Sequence, residues 1–441
     1  MTSDPTVRRS DSVTVVVPTF RRERDAADQA ERFAGMAMVA RVLVVDQGST
    51  LAAYEPFIEL RRREPKIELI DQPNLGGSGG YARGMLESLS SPEHAVYLSD
   101  DDAQISEESL ALMLAHQGQA DRPTIVGTAM YAADDPELQI SGPEAVRGAD
   151  FMWGPAGDAS PNYTGWWGTL LPPGTVAELG LPAPYFLKWD DAEYGLRATR
   201  AGYDTVVPPG ANVWHPTWNA FATQMSWTAR ILHRNRLATA AACGAGRGVI
   251  RSSLLHQGKH ILAGHHLTAT LWAAGIDQFL TGPGTWLGRD LTHARADGQR
   301  VVEEWNEDHL EAATDLAATH AGPLPAARAT VRALANLVGP ARPPRIVCEL
   351  PADEVTWRTT LGADAVIVTG PDGSRAGTLI ADGPTARRLL ATTLRQHWAL
   401  ARRWWQLRRS YHRALPKVTT RAAWERMIAA AEEAERPAKD D

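Results

Sequence analysis

"NLGGSGGYARG", residues 74–84, directly follows the strand-like run "IELIDQP", and its reading decides how the N-terminal half folds. Within it, Gly77-Ser78-Gly79-Gly80-Tyr81-Ala82 fits the G-x-G-x-x-A turn of a dinucleotide-binding sheet, and an acidic residue follows roughly twenty positions later. That fingerprint belongs after the first strand, whereas here it follows the third. The turn after the first strand reads "PTFRR". An NAD or FAD enzyme therefore gives way to other phosphate chemistry. Glycines in such a place let backbone approach a diphosphate, with a helix N-terminus facing the negative charge.

Around this stretch, apolar β-branched runs recur at 13–20, 41–49, 66–74 and 95–103, separated by helix-compatible segments such as 23–37 and 79–90. Strands alternating with helices predict an α/β fold with a parallel sheet covered on both faces. Chemistry in such sheets gathers at the carboxyl ends of the strands. Those ends carry Thr19 and Arg22, Asp46 and Gln47, Asn74, and Asp100 to Asp102.

From 125 to 215 the chain is rich in Gly, Pro and Trp, which predicts further strands and long site-forming loops. Beyond Arg230, Ala, Leu, Arg and His dominate, with helical stretches at 227–244, 250–280 and 300–320. The break "GPARPPR" (339–345) precedes two apolar runs paired around a Pro-Asp-Gly turn. The expected organisation is a disordered segment 1–12, an α/β domain 13–236, and a mainly helical region 237–441. The last contains a β hairpin near 362–381 and a basic Trp/Arg helix near 384–413.

Composition narrows the class. An apolar fraction of 44% and a charged fraction of 22% are those of an ordinary globular protein. A net charge of −7 gives no reason to expect nucleic acid as a partner. Cys243 and Cys348 have no metal-type spacing and point to a reducing cytoplasm. The start "MTSDPTVRRSDS" lacks a signal-peptide stretch, and no apolar run is long enough for a transmembrane helix. Seven of the 15 tryptophans lie between Trp153 and Trp227, either as core or as a sugar-stacking surface.

The acid triplet Asp100-Asp101-Asp102 closes an apolar strand. Side chains alternate there, so Asp100 and Asp102 project together and suit Mg²⁺ or Mn²⁺ carrying a diphosphate. The competing reading is a capped helix start before "SEESL". A second acid pair, Asp190-Asp191 in "PYFLKWDDAEYGLRATRAGY", is either helix capping or a general base for an acceptor hydroxyl. His215 in "VWHP" is either structural or a third metal ligand.

Taken in order, "VVVPTFRR", "VVDQGS", "PNLGGSGGYARG", "LSDDDA", "YTGWWG", "FLKWDDAEYGLRA" and "WHP" resemble the inverting glycosyltransferases of the glycosyltransferase A fold. Among these they are most similar to actinobacterial UDP-galactofuranose transferases that build cell-wall galactan. The resemblance spans 13–236 and extends loosely into the helical remainder. It implies a mixed or parallel Rossmann-like sheet domain and a Mn²⁺- or Mg²⁺-dependent, inverting transfer of galactofuranose from UDP-galactofuranose. The acceptor it implies is a lipid-linked cell-envelope glycan. A rhamnosyl- or other hexosyltransferase of the same fold is the alternative. A sugar-nucleotide pyrophosphorylase and a non-catalytic sugar-nucleotide binder fit less well.

By the same resemblance, Asp191 is the catalytic base with Asp190 beside it. Asp100, Asp102 and His215 hold the metal. Thr19, Arg22, Asp46, Gln47, Asn74, Gly77, Arg83, Asp100 and Asp101 serve the UDP-sugar donor, and Glu144, Trp153, Tyr163, Trp166, Trp167, Trp189 and His233 the acceptor. A homo-oligomer is also implied. The galactan polymerases carry a β-sandwich before the catalytic domain, and only about a dozen residues precede the first strand here. A transferase adding only the first galactofuranose residues is therefore the second expectation.

No Asp or Glu occurs from Arg387 to Trp424, while Arg recurs and "HWALARRWWQLRRSYHR" carries three tryptophans. This helix either packs on the body or another subunit, or lies peripherally on an anionic membrane, Arg snorkelling and Trp at the headgroups.

Overall fold

The computed structural model describes residues 8–217, 220–289, 291–309 and 316–436. Of the segment 1–12, residues 1–7 lie outside the described residues, as do 310–315 of the stretch expected to be helical over 300–320. The first part alternates β1 (Val13–Thr19), α1 (Glu23–Ala34), β2 (Val39–Asp46), α2 (Glu55–Arg63), β3 (Ile67–Asp71), α3 (Gly76–Ser88) and β4 (Ala95–Leu98). Next come β5 (Gln104–Ile105), α4 (Glu107–Gln119), β6 (Thr124–Gly127), β7 (Ala129–Ala132), β8 (Gln139–Ser141), β9 (Glu144–Val146), β10 (Trp153–Pro155) and β11 (Thr169–Leu171). They lead to α5 (Thr175–Leu179), α6 (Asp190–Arg200), β12 (Asp204–Val206), β13 (Asn212–His215), α7 (Ala220–Gln224) and α8 (Thr228–Ala242).

Among the described residues, seven strands form one sheet in the order β12-β6-β11-β4-β1-β2-β3. β4, β1, β2 and β3 are parallel, and β11 runs antiparallel between β4 and β6. The fold of this part is thus α/β with a mixed sheet. Strand alternation sorts the core. Val13, Val15 and Val17 face Ala26, Phe33 and Phe57 of α1 and α2, whereas Val16 faces Tyr81, Ala82 and Met85 of α3. Both faces of β1 are covered, which explains its unbroken valine run.

The glycines open α3 instead of forming a loop against a ligand, which corrects the expected helix start at 79. A Cβ at Gly84 would stand 2.0 Å from Val16 Cγ1, and one at Gly80 2.5 Å from Pro18 Cβ. Gly76, at φ +70°, lies where a Cβ would meet the Phe186 carbonyl oxygen at 2.1 Å. The glycines let α3 lie directly on β1 and on the segment before α6.

The remainder comprises α9 (Gly248–Leu262), α10 (His266–Leu280), α11 (Pro283–Trp286), α12 (Ala294–His309), β14 (His320–Ala321), α13 (Ala326–Val338), β15 (Val347–Pro351), α14 (Trp357–Thr360), β16 (Ala365–Thr369), β17 (Arg375–Ile380), α15 (Gly383–Val418) and α16 (Arg421–Glu435). The stretch 250–280 is two helices, parted at Gly264 with φ +77°. The expected hairpin is β16–β17, but it closes a four-stranded sheet β14-β15-β16-β17 whose first two strands were not foreseen. α8 is buried along nearly its whole length and packs on α9, α10 and α15, so the boundary drawn at 236 falls inside a helix. α15 turns Leu400, Trp404, Leu407, Tyr411 and Leu415 inward and leaves Trp398 and Trp405 exposed. Among the described residues, no helix is long and apolar enough to cross a membrane.

Candidate active site

β4 ends at Leu98, and the acids occupy the turn that follows. Asp100 and Asp102 therefore converge through turn geometry, not strand alternation. Gln29 of α1 holds the turn: its Nε2 donates to Ser99 Oγ at 3.2 Å, to the Asp100 carbonyl at 3.1 Å, and to the Ala103 carbonyl. The helix-cap alternative fails, because α4 is capped by Ser106, which accepts from the Ser109 N–H at 3.1 Å.

Asp100, Asp102 and His215 each offer a ligand atom, all within 4.8 Å of one another. His215 Nδ1 lies 2.6 Å from the Pro216 carbonyl oxygen and Nε2 3.0 Å from Asp102 Oδ1. A carbonyl can only accept, so Nδ1 carries a hydrogen; Nε2 faces the acids, where a protonated ring donates to Asp102 and a neutral ring would offer its lone pair to a metal. Two carboxylates and an imidazole so disposed fit a divalent cation. Burial alone would lower the His215 pKa, but the hydrogen bond and charge of Asp102 raise it. Burial would likewise raise Asp102, yet His215 and Arg22 hold it down at about 2. Asp100 is raised by burial, against which the Tyr81 hydroxyl bond pulls it down.

Asp101 points the other way. It accepts from Thr19 Oγ1 at 2.7 Å and from Arg22 Nη1 at 3.1 Å, and the same Nη1 donates to Asp102 at 2.6 Å. Thr19 thus anchors the triplet, and Arg22 lies across its open side.

The second acid pair begins α6. Three non-glycine residues just before it are left-handed: Phe186, Lys188 and Trp189, at φ +73°, +67° and +74°. Such conformations cost roughly 1–3 kcal/mol each and need surrounding structure to hold them. Ser78 of α3 donates to Asp190 Oδ2 at 2.7 Å, and one turn later Tyr81 donates to Asp100 Oδ1 at 2.7 Å. One helix therefore ties both acid groups together. Burial, then the charge of Asp190, raises the Asp191 pKa; burial also raises Asp190. The exposed Lys188 charge opposes these shifts at Asp100, Asp190 and Asp191.

Beside Asp191, Tyr163 donates to Glu144 Oε2 at 2.6 Å, and the half-buried Trp153 leans on Trp189 with ring centroids 4.8 Å apart. Burial, then Glu144 and Asp191, raises the Tyr163 pKa, which places the three groups in one neighbourhood.

Other expected residues stand elsewhere or are otherwise engaged. Arg83 pairs with Glu87 at 3.0 Å and with Glu432 of α16 at 3.5 Å, so its charge serves a helix contact. Asp46 is fully buried, and its carboxylate accepts from the N–H groups of Gly48, Thr50 and Leu51 at 2.7–2.9 Å. Gln47 Oε1 accepts from the Leu75 N–H and from Gln72, and Asn74 Oδ1 from the Gly76 N–H. These three shape the loops that follow β2 and β3. Ser78 N–H donates to the Phe186 carbonyl, so one N–H of the first turn of α3, next to Gly77, is taken by protein. Trp166 is core, edge-on to Tyr81 and Tyr194, and Trp189 is buried against Phe151 and Trp153. Trp167 folds over Gly165, where a Cβ would meet its ring at 2.2 Å. His233 lies in the helical layer, stacked on Trp272 at 3.9 Å and bonded to Ser253. Its expected place on the acceptor side came from the family resemblance; the ring is fully buried between helices.

Comparison with known proteins decides the family. Residues 10–240 match the model "Glycosyltransferase like family 2", and residues 249–430 match "Galactofuranosyltransferase-2, domain 3". Galactofuranosyltransferase GlfT2 of Mycolicibacterium smegmatis is 31% identical over 95% of this chain and 72% of its own length. The chain belongs to the galactofuranosyltransferase GlfT2 family. It is a glycosyltransferase. A GlfT2 from Mycobacterium tuberculosis is 30% identical over 94% of this chain and 73% of its own length. Among solved structures, S. aureus TarS 1–349 is a distant likeness, with TM-score 0.42 and 14% identity over 68% of this chain and 92% of that one.

Gln29, Ser78, Tyr81 and Lys188 are absent from the sequence-based expectations for this GlfT2-family site. Only Ser78 and Tyr81 had a signal: they are the two hydroxyl-bearing residues of the quoted stretch, three apart, on one face of a helix.

Proposed function

We propose that the chain transfers galactofuranose from UDP-galactofuranose to a hydroxyl of a cell-envelope glycan, by a single displacement that inverts the anomeric centre. The observation that carries the reading is the linkage of two acid groups through α3, one with a metal-type donor set and one headed by a raised-pKa aspartate. Asp100, Asp102 and His215 would hold Mn²⁺ or Mg²⁺, which when bound offsets the charge of a departing nucleoside diphosphate. Asp191 accepts the proton of the incoming hydroxyl, a role its raised pKa suits. Ser78 keeps Asp190 fixed beside it. Trp153, Tyr163 and Glu144 form the acceptor side, an aromatic face with polar tips adjoining the base.

The test is a donor panel with Mn²⁺ and a galactofuranosyl disaccharide acceptor. UDP-galactofuranose should be consumed well above UDP-glucose, UDP-N-acetylglucosamine and dTDP-rhamnose. Preferential use of dTDP-rhamnose would overturn the donor assignment.

The location follows from α15. Trp398 lies under Arg402 at 4.5 Å, and Trp405 under Arg408 at 4.6 Å, on the face turned away from the helical layer. A surface of arginines over exposed indoles suits an anionic lipid headgroup plane, where a lipid-linked acceptor would lie. Vesicles containing phosphatidylglycerol should retain the protein at physiological salt, and equal recovery with neutral vesicles would remove this reading.

A further inference from the structure

Three successive residues of α8, Arg234, Asn235 and Arg236, are buried, and their side chains reach out of the helical layer to backbone carbonyls of the catalytic half. Asn235 is the centre. Its Oδ1 accepts from Arg234 Nε at 2.9 Å, which fixes the amide so that Nδ2 faces the segment before α6. Nδ2 lies 2.9 Å from the Leu187 carbonyl, 3.0 Å from that of Lys188 and 3.3 Å from that of Tyr185. These carbonyls bracket the left-handed residues Phe186, Lys188 and Trp189, whose unusual backbone turns the chain into Asp190 and Asp191. Arg234 adds a bond to the Tyr185 carbonyl at 3.1 Å, and is itself held by Gln278 at 2.8 Å and by the Trp286 ring at 4.1 Å.

Arg236 does the same on the acceptor side. It donates to the Phe151 carbonyl at 2.9 Å and the Asp150 carbonyl at 2.7 Å, and Ser252 of α9 holds it at 2.8 Å. Phe151 is again left-handed, at φ +55°, and stacks on Trp189 at 6.2 Å. Of the strained non-glycine residues flanking the base and Trp153, Lys188 and Phe151 are thus bonded directly to one turn of one helix, and Phe186 and Trp189 adjoin the bonded carbonyls. Burying two guanidiniums against neutral carbonyls carries a desolvation cost, which lowers the pKa of both. Fixing backbone that would otherwise relax is a use that such groups serve well.

We infer that Asn235, flanked by Arg234 and Arg236, is the positioning residue for the base: it locks the 185–189 turn so that Asp191 is presented to the acceptor hydroxyl. The inference rests on Asp191 being the base. Asn235 touches neither substrate nor base, and acts through the three carbonyls. A displacement of about 1 Å at a reacting group costs on the order of 10²-fold in rate.

The experiment compares wild type, Asn235→Ala, Asn235→Ser, Asn235→Asp and Asp191→Ala in the full chain. UDP binding in the presence of Mn²⁺ counts the folded sites, and kcat is expressed per site. Asn235→Ala should lower kcat about 10²-fold while donor KM stays within about twofold. Asn235→Ser, which keeps one donor, should fall between, and Asn235→Asp, which faces the carbonyls with a carboxylate, should be no better than Ala. Amide hydrogen exchange should quicken over 186–191 in Asn235→Ala and stay unchanged in β1 and β2. Ala and Ser variants with kcat per site within twofold of wild type, beside an inactive Asp191→Ala, would overturn the positioning role even if their Tm were lower. Turnover in Asp191→Ala would instead remove the base assignment on its own.

Discussion

The Ser78 hydroxyl donates a 2.7 Å hydrogen bond to the Asp190 carboxylate, joining the glycine-rich helix to the segment that carries the expected base. Both groups are buried. Removing the donor takes away the side-chain bond of a buried carboxylate, which keeps its backbone bonds and the Lys188 charge, at a cost of about 1–3 kcal/mol. Ser78→Ala should therefore lower Tm and reduce kcat roughly tenfold with little change in donor KM, while Ser78→Thr keeps a hydroxyl and should recover part of the rate. Steady-state kinetics and thermal melts on the three proteins check this.

Tyr81 acts one turn further along the same helix. Its hydroxyl bond favours ionised Asp100, so Tyr81→Phe should raise the Asp100 pKa and weaken Mn²⁺ binding, most visibly at lower pH. Calorimetric titration with Mn²⁺ at two pH values measures the effect. Equal affinities in both proteins would show that the hydroxyl does nothing for the acid.

The pH dependence has a definite sign. Burial and the neighbouring charge raise Asp191, and a base works only when deprotonated, so kcat/KM should rise with pH along a limb above the ordinary carboxylate range near 4. Glu144 contributes to that rise. Glu144→Gln should move the limb to lower pH, and a limb left in place would separate Glu144 from the base.

Arg83 supplies a contrast. Its contacts are Glu87 and Glu432, so Arg83→Ala should leave donor KM and kcat unchanged and lower Tm slightly. Gly84→Ala should do more harm, because its Cβ would meet Val16 Cγ1 at 2.0 Å; overpacking of this kind costs about 1–3 kcal/mol.

Much of this was legible in the chain. The valine runs predicted the parallel centre of the sheet, because β1 and β2 are covered on both faces and need no polar side. Asp100, Asp102 and His215 were identified as one cluster although 113 positions separate Asp102 from His215 (215 − 102), and β13 beside β5 brings them together. Glycine is ambiguous in sequence, because it permits close approach of any neighbour; at Gly84, Gly80 and Gly76 the neighbours are Val16, Pro18 and Phe186, which the sequence did not indicate. The tryptophans were over-assigned for a similar reason. Trp166 and Trp189 are buried, and indole spacing alone does not tell a core ring from a sugar platform. Gln29 and Asn235 carried no signal, since a buried amide bonded to carbonyls leaves no pattern along the chain.

The most direct test of the account is a single-turnover reaction of UDP-α-galactofuranose with a galactofuranosyl acceptor and Mn²⁺, comparing wild type with Asp191→Asn. Product linkage is read by NMR and UDP binding by calorimetry. The account predicts a β-linked product from the wild type, and in Asp191→Asn a loss of roughly 10²–10⁴-fold in rate with UDP binding retained. An α-linked product, or a variant turning over at the wild-type rate, would contradict it.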